Sequence, residues 1–300
     1  MPQIDRRSLL AASATGMIAM GGSVFLTACG PAGQSDSSSS ASSGTSEGGD
    51  TLGDGTTLRV GMEAEYPPYN WQETSASDTT IPIENVDNAY ADGYDVAIAK
   101  KIAAAFGEEA VAVKMSFDGL IDSLNNGQID IICAGMSETP ERAQSVDFSK
   151  SYLDDGVALL VAKDGAYASA TSLEDFKGTA VVGQKATLYD DVIDQIPEVN
   201  HLTPLASVPN VIETLNKGAA DAATMSSLSA PGVLSTYTNL KMVEFAEGKG
   251  FTDAENPDNA AIKKGQDGAL AKINEVIEGL SSDEQTSLWE DAMNRQPATA

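Results

Sequence analysis

Short β-branched segments alternate with helical segments from Leu58 onward, and this alternation limits the fold more than any other feature of the chain. The run 58–61 is typical of a strand. Ile98, Ile102 and Phe106 then recur at the spacing of one helix face, which ends at Gly107. Strands that alternate with helices in this way predict an α/β fold with a mainly parallel sheet.

A short pattern occurs twice in the chain and suggests how the elements are grouped. The string LNNGQID at 124–130 returns as LNKGAAD at 215–221. Both copies read as a helix end, a glycine in a left-handed C-terminal cap, and a strand that carries Asp at the same place. Turns of this kind are common in α/β proteins, but each copy also follows a similar run of elements. The sequence therefore predicts two similarly built lobes.

The first 28 residues have the character of an export signal rather than of a packed helix. Arg6 and Arg7 precede an apolar run of small residues that ends in Leu26-Thr27-Ala28-Cys29. This ending resembles the lipobox of bacterial lipoproteins, which implies lipidation at Cys29; a chance Cys in a transmembrane anchor is the alternative. Residues 5–10 also resemble a twin-arginine export motif, so the export route stays open. Residues 29–56 are rich in Ser and Gly and predict a flexible tether.

The charge balance excludes some partners and leaves others open. The chain carries 44 acidic and 18 basic residues, a formal net charge of -26. A protein that neutralises phosphates needs a basic stripe, so nucleic acid and direct adsorption to anionic lipid are both disfavoured. We interpret the acidity as a solvated surface that keeps an exported protein soluble. Attraction of cationic ligands is the alternative.

Cysteine and histidine are too sparse to indicate catalysis. Once Cys29 is lipidated, Cys133 has no disulfide partner, and its place after two isoleucines predicts a buried structural thiol. His201 has no Cys, His or paired carboxylates beside it in the sequence. The sequence contains no zinc-ligand spacing, phosphate-binding glycine loop or nucleophile elbow. We therefore expect no catalytic residue, no cofactor and no metal.

Several segments carry a family resemblance across residues 57–295, and the most specific is Gly135-Met136-Ser137-Glu138-Thr139-Pro140-Glu141-Arg142. The others are Arg59–Tyr69, Gly93–Lys100, Phe117–Ile121, Val146–Ser149 and Ser172–Gly178. Together they resemble the bacterial extracellular solute-binding proteins of family 3, which deliver polar amino acids to ABC importers. The resemblance implies an α/β, two-lobed periplasmic-binding-protein-like fold of type II with its ligand in the inter-lobe cleft.

The same resemblance implies where the chain passes between the lobes. Crossings are expected near Leu160–Lys163 and Glu244–Gly248. The first lobe then comprises 57–162 and 246–300, and the second comprises 163–245. The segment 72–91 is longer than the usual turn of the family. We expect it to be a solvated loop, with a role overhanging the cleft as the alternative.

Arg142 is the residue that we expect to bind a ligand carboxylate, because a guanidinium offers a planar, two-pronged match to two oxygens. On sequence alone, a surface arginine in a helix cap after Pro140 is an equal alternative. The resemblance adds Gly135 and Ser137, which offer main-chain and hydroxyl groups to the ammonium and carboxylate, with Met136 between them. These residues would all come from the first lobe.

The second lobe is implied to contribute Thr187 and Leu188, in a turn where backbone N–H groups at a helix start receive an anion. The string departs from the Gly-Thr-Thr pattern of the family, because it carries Ala186 and Leu188. Binding through main-chain groups is compatible with both changes. A second hydroxyl contact is not.

Aromatic and acidic residues are implied to surround the side chain of the ligand. Tyr66 and Phe117 align with positions that sandwich it, and Trp71 is expected to close the wall. A core position at a helix start is the alternative for Phe117. Glu63 aligns with an acidic position that meets the basic end of cationic amino acids; an exposed carboxylate at a strand end is the alternative.

Ser226 is the main departure from the family, which usually places an Asp there to pair with the ammonium of the ligand. An unpaired buried ammonium is costly. Either Glu63 or Glu65 therefore substitutes, or the ligand is not an ordinary α-amino acid. The sequence leaves this choice open.

From these observations we expect a monomeric, lipid-anchored protein on the outer face of the cell membrane. It would bind an amino acid, with a modest preference for a cationic one, by closing its two lobes. It would then deliver the ligand to an ABC transporter permease. The alternatives are an enzyme of the same fold, such as a dehydratase, and a binder or sensor of an amine that is not an amino acid.

Overall fold

The structure is a computed structural model that describes residues 51–297. The predicted export signal, the lipidation site at Cys29 and nearly all of the predicted tether lie outside the described residues. Among residues 51–297, no helix is long and apolar enough to span a membrane.

The chain alternates strands and helices as the sequence predicts. The strands are β1 (Thr57–Met62), β2 (Glu65–Tyr66), β3 (Asn70–Glu73), β4 (Ile81–Pro82), β5 (Tyr90–Asp92), β6 (Glu109–Lys114), β7 (Ile131–Ile132), β8 (Val146–Ala162), β9 (Ala180–Val182), β10 (Asn200–His201), β11 (Ala222–Ser226), β12 (Leu240–Met242) and β13 (Glu255–Lys263). The helices are α1 (Tyr94–Phe106), α2 (Leu120–Asn125), α3 (Leu188–Asp191), α4 (Val208–Asn216), α5 (Ala230–Thr236), α6 (Asp267–Glu278) and α7 (Ser282–Arg295). Single turns of 3-10 helix occur at Phe117–Gly119, Arg142–Gln144, Leu173–Phe176 and Val192–Gln195.

One long sheet runs through both parts of the molecule, in the order β10-β9-β11-β8-β13-β7-β1-β6. The pairs β1–β6, β1–β7, β9–β10 and β9–β11 are parallel, whereas β8 and β13 run antiparallel to their neighbours. We call the part with β1–β7, β13, α1, α2, α6 and α7 the first lobe, and the part with β9–β12 and α3–α5 the second lobe. The predicted α/β, two-lobed fold is confirmed.

The repeated string has the same structural role in both lobes. Gly127 and Gly218 adopt left-handed φ angles of 77° and 71° after α2 and α4. The Asp130 carboxylate accepts the N–H of Arg59 in β1, and the Asp221 carboxylate accepts the N–H of Ala180 in β9. In each lobe the repeat therefore closes a helix and fixes the start of the next strand against its neighbour.

Strand β8 is the element that passes between the lobes. It pairs with β13 as far as Gly156 and with β11 from Val157 onward. This change of partner lies at Gly156–Val157, and Leu159 and Leu160, which follow it, are buried. Strand β13 begins at Glu255 and pairs with the part of β8 that precedes the change. The apolar residues of β8 that follow the change belong to the core of the second lobe.

The segment 72–91 is not the solvated loop that the sequence suggests. It contributes β4 and β5 to a small antiparallel sheet with the order β2-β3-β5-β4. Ile81, Ile83 and Ala91 are buried in the core of the first lobe. Trp71 and Cys133 are buried in the same core, as predicted for the thiol, and burial raises the pKa of Cys133.

Candidate functional site

The cleft between the lobes contains a small cavity that collects most of the residues singled out from the sequence. The predicted residues that line it are Glu63, Tyr66, Phe117, Gly135, Ser137, Arg142, Thr187 and Leu188. Residues that the sequence reading missed also line it: Ala134, Gln184, Tyr189 and Asn256. The free volume is about 10 Å³, which is room for about one water molecule. The lobes are therefore closed on each other.

Arg142 begins a single turn of 3-10 helix, and its guanidinium reaches across the cleft. Nη1 donates to the carbonyl of Ser137 at 2.6 Å, and Nη2 donates to the carbonyl of Ala186 in the second lobe at 2.8 Å. The guanidinium carbon lies 5.4 Å from the centre of the Phe117 ring. No carboxylate of residues 51–297 forms an ion pair with Arg142, and burial lowers its pKa. This cation is held only by carbonyls and an aromatic face, and it is suited to an anionic ligand.

Glu63 follows β1 directly and is buried, with 6% of its surface exposed. The Gln184 amide of the second lobe donates to both carboxylate oxygens, at 2.9 and 3.1 Å. Burial raises the pKa of Glu63 to about 7, the Gln184 contacts oppose this shift, and the charges of Glu65 and Asp118 add to it. No basic residue within the described part of the chain pairs with Glu63. The carboxylate is therefore suited to a cationic ligand group.

Tyrosines form the aromatic wall of the cavity. Tyr66 stacks on Tyr69 with ring centres 4.6 Å apart, and its hydroxyl donates to that of Tyr189 at 3.4 Å. Burial raises the pKa of all three tyrosines well above the usual range. Their hydroxyls therefore remain protonated and act as hydrogen-bond donors. Tyr189 lies in the short helix α3, two positions after Thr187. This position next to the predicted anion-binding turn is the sequence signal that could have identified it.

The turn that precedes α3 has a strained backbone. Ala186 has a φ of 61°, in the left-handed region that favours glycine, and its carbonyl accepts from Arg142. The Thr187 hydroxyl donates to the carbonyl of Gln184 at 2.7 Å. The turn thus presents the Ala186 carbonyl to the Arg142 guanidinium and the Gln184 side-chain amide to the Glu63 carboxylate. One turn of the second lobe therefore forms hydrogen bonds with both charged side chains of the cavity.

Three predicted residues lie outside the cavity lining. Trp71 is buried in the first lobe, donates its indole N–H to Glu73, and lines a separate apolar cavity of about 500 Å³. Met136 is buried because it alternates with the lining residues Gly135 and Ser137 and points into the core. Ser226 is fully buried, and its Oγ accepts the N–H of Ser229 at 3.0 Å.

His201 lies in the second lobe, away from the cavity lining. Its Nδ1 lies 2.8 Å from an Asp194 oxygen, and its Nε2 lies 2.9 Å from an Asp190 oxygen. These two carboxylates raise the pKa of the imidazole against the opposing effect of its burial. The residue joins β10 to α3 and to the turn of 3-10 helix that follows it.

A further contact holds the cleft closed beside the cavity. Lys185 of the second lobe pairs with Asp118 of the first lobe at 2.6 Å. Together with the contacts of Arg142 and Glu63, it joins the lobes through side chains that flank or line the cavity.

The family model of the bacterial extracellular solute-binding proteins, family 3, matches residues 58–291. This chain belongs to that family. Two relatives illustrate the range of ligands that its members bind. The L-cystine-binding protein TcyJ of Escherichia coli is 26% identical over 76% of this chain and 78% of its own length. The glutamine-binding protein GlnH of Bacillus subtilis is 32% identical over 67% of this chain and 72% of its own length.

Solved structures of amino-acid-binding proteins share the fold of this family 3 protein. AbpA of Streptococcus pneumoniae, bound to L-arginine, has a TM-score of 0.68 and 26% identity, and the match covers 81% of this chain and 95% of that one. The ancestral amino acid-binding protein AncCDT-1, a precursor of cyclohexadienyl dehydratase, has a TM-score of 0.66 and 27% identity, with coverage of 79% and 95%. Amino-acid binding is therefore the property that these four proteins have in common, and two of them are named as parts of ABC transporters.

Proposed function

We propose that this chain binds a cationic amino acid in the cleft and delivers it to an ABC transporter permease. One observation carries the proposal: the closed cavity contains a guanidinium without a carboxylate and a carboxylate without a basic partner. An amino acid supplies the missing partner of each. Buried charges are stabilised only when they are paired, so the ligand would provide both Arg142 and Glu63 with a partner of opposite charge.

The choice of a cationic amino acid rests on Glu63. A neutral polar ligand such as glutamine offers its side-chain amide to that carboxylate, as Gln184 now does, but leaves the charge unpaired. A guanidinium or ammonium pairs with the charge and forms stronger, charge-assisted hydrogen bonds. The L-arginine bound to AbpA supports this choice, whereas the relatives that bind cystine and glutamine show that the family alone does not decide it.

Opening and closing would take place at the two strands that join the lobes. We place the hinge at Gly156–Val157 in β8 and at the start of β13, near Glu255. The first lobe then comprises residues 57–156 and 255–295, and the second lobe comprises 157–254. To admit a ligand, the lobes must separate and break the cross-cleft contacts of Arg142, Glu63 and Lys185. A ligand that bonds both lobes favours the closed form by its differential affinity.

The proposal includes export and anchoring of a monomer. Residues 1–28 would direct export, a diacylglycerol on Cys29 would hold the protein at the outer face of the membrane, and residues 29–56 would form the tether. The lipobox-like string and the Ser- and Gly-rich composition support this. Incorporation of labelled palmitate into the expressed full chain, abolished in Cys29→Ser, would test the anchor.

Calorimetric titration of residues 51–300 with the twenty amino acids and several polyamines would test the ligand class. We expect the tightest binding for L-arginine or L-lysine. Arg142→Gln should weaken it at least tenfold, because the ligand carboxylate loses its charged partner. Arg295→Gln removes a guanidinium that pairs with Asp92, far from the cavity, and serves as the control. Binding only of amines that lack a carboxylate would contradict the proposal.

An enzyme is the second candidate, favoured by the pKa of Glu63 near 7 and by the fold shared with AncCDT-1. A carboxyl group with such a pKa can act as a general acid or base at neutral pH. Incubation of each bound ligand with the protein, followed by chromatography, separates the two functions. An unchanged ligand supports a binding protein, and turnover that is lost in Glu63→Gln supports the enzyme.

A further inference from the structure

A cationic amino acid carries two positive charges and one negative charge. A lining that pairs with all three would contain two carboxylates and one basic group, but this lining contains one of each. Arg142 and Glu63 are the charged residues among those that line it. If Glu63 pairs with the basic side chain, the α-ammonium needs another carboxylate. If the proposed function holds, a further carboxylate must therefore lie close to the cavity.

Ser226, where a carboxylate was expected, does not meet this need. Strand β11 has the sequence AATMS and contains no acidic residue. The Ser226 hydroxyl is fully buried, accepts from the backbone of Ser229, and lies 3.4 Å from the hydroxyl of Tyr69. A neutral hydroxyl that is already bonded does not balance an ammonium charge.

Strand register places a carboxylate on the same face of the sheet, one strand away. Ser226 lies opposite Val157, and Asp155 lies opposite Asn256. Cross-strand partners share a face, as do residues two apart in a strand, so Asp155 faces the same side as Ser226 and Asn256. Asn256 lines the cavity. The Tyr69 hydroxyl confirms the proximity, because it donates to Asp155 at 2.7 Å and also contacts Ser226.

We propose that Asp155 pairs with the α-ammonium of the ligand. An α-ammonium and an α-carboxylate share one carbon atom, so their partners must lie close together. A chain of hydrogen bonds links them here. Ser137 accepts from Arg142 through its carbonyl and donates through its hydroxyl to Asn256. Asn256 donates to the Tyr189 hydroxyl at 2.9 Å, and that hydroxyl donates to Asp155 at 3.4 Å.

The long contact from Tyr189 is the one that the ammonium replaces. The other donors to Asp155 hold its carboxylate in place: Tyr69 at 2.7 Å on Oδ2, and Ser227, Leu228 and Gly156 at 2.8, 3.1 and 2.6 Å on Oδ1. Tyr69 belongs to the first lobe, Ser227 and Leu228 belong to the second lobe, and Gly156 belongs to the hinge. Asp155 is thus fixed at the hinge with one weakly bonded position directed toward the cavity residue Tyr189.

Asp258 provides independent support for a cation at this end of the cleft. It is fully buried in β13, and neither of its carboxylate oxygens has a hydrogen-bond partner among residues 51–297. Burial, together with the charges of Asp95 and Asp155, raises its pKa well above the usual range. No basic residue of 51–297 pairs with any of these three aspartates. A positive charge beside Asp155 would reduce the repulsion among these acidic groups and favour the ionised form of Asp258.

The assignment divides the recognition of a cationic amino acid among three charged residues. Arg142 takes the α-carboxylate, Asp155 takes the α-ammonium, and Glu63 takes the basic end of the side chain. Glu63 no longer has to serve two groups. The carboxylate that is missing from β11 is supplied by the hinge strand β8.

The test compares L-arginine with 5-guanidinopentanoic acid, which is arginine without its α-ammonium, by calorimetric titration. Asp155→Asn should weaken L-arginine binding at least about 30-fold and leave binding of the analogue within about threefold. Asp154→Asn is the matched control, because Asp154 is exposed on the same strand and its carboxylate accepts from Ser151. It should change neither affinity by more than about twofold.

Equal weakening of both ligands in Asp155→Asn would overturn the assignment, because Asp155 would then act only through the hinge. If that variant does not fold, a crystal structure of the wild-type protein with L-arginine decides. An α-nitrogen within hydrogen-bond distance of Asp155 supports the assignment, and one against Glu63 overturns it. Absence of binding of any amino acid to the wild-type protein would instead refute the proposed function, and the assignment with it.

Discussion

Replacement of Glu63 by Gln should remove a pH-dependent force that opens the cleft. In the closed form the Glu63 carboxyl is buried, and its pKa is raised from the ordinary 4.5 to about 7. In an open cleft the same group contacts water, so we expect its pKa to return to the ordinary range. Glu63→Gln preserves the shape of the side chain and one of the two oxygens that accept from Gln184, but it cannot ionise.

The sign and size of the effect follow from that difference. The closed form binds the proton of Glu63 more tightly, so the carboxyl opposes closure least below pH 4.5, where both forms are protonated. As the pH rises toward 7, the open form ionises first, and closure becomes progressively less favourable. Above pH 7 the cost levels off at about 3 kcal/mol, at 1.36 kcal/mol for each pKa unit. Glu63 is 6% exposed, so solvent screens little of this cost.

Small-angle X-ray scattering of the ligand-free protein from about pH 4.5 to 8 measures the effect as a change in radius of gyration. We expect the wild-type protein to expand as the pH rises through this window and Glu63→Gln to remain compact throughout. Glu84→Gln is the control, because Glu84 is exposed and lies outside the cavity lining. An identical pH profile for the wild type and Glu63→Gln would refute the reasoning, since the buried carboxyl would then not influence closure.

Three further changes test other parts of the fold. Asp221→Ala should lower the free energy of unfolding by about 1 to 3 kcal/mol in urea denaturation, because the Ala180 N–H loses its acceptor; an unchanged midpoint would show that the repeat does not fix β9. Below pH 6.5, where the imidazole of His201 is protonated and pairs with two aspartates, His201→Gln should lower the melting temperature. Well above the raised pKa of His201, the neutral imidazole contributes no ion pair, so the substitution should not lower the melting temperature. Ala186→Gly relieves a left-handed φ of 61° and should raise the melting temperature slightly; a fall would mean that the turn is not strained.

The order of the elements and much of the cavity could be predicted because they depend on local patterns. Helix caps, strand runs and the repeated string are encoded in neighbouring residues, so Gly127, Gly218 and their strands took their expected places. Arg142 and Glu63 were found because each is a charged residue in a segment that resembles the family. They meet in one cavity because the end of β1 and the 3-10 turn at Arg142–Gln144 both face the cleft.

The remainder depended on contacts between distant segments. Tyr189, Asn256 and Asp155 are joined by hydrogen bonds across 34 to 67 positions of sequence, and no local pattern marks them. Trp71 lies in the core of the first lobe and not in the cavity lining, because an aromatic residue near a cleft serves the core equally well and the direction of β3 decides between the two. The exchange of partners along β8 has no local signal, because the apolar run of the strand extends beyond it.

The closed cleft already satisfies much of its own bonding capacity, and this determines which solutes can compete for it. Arg142 and Glu63 each have a partner from the second lobe, at Ala186 and Gln184. A solute with a single charge, such as acetate or a simple amine, would satisfy one of them while separating the other from its partner. The net gain in binding free energy is therefore small. The apparent affinity is lower still, because only the fraction of molecules that is open can admit a solute. We therefore expect the cleft to discriminate against common solutes with a single charge, because tight binding requires two opposite charges on one molecule.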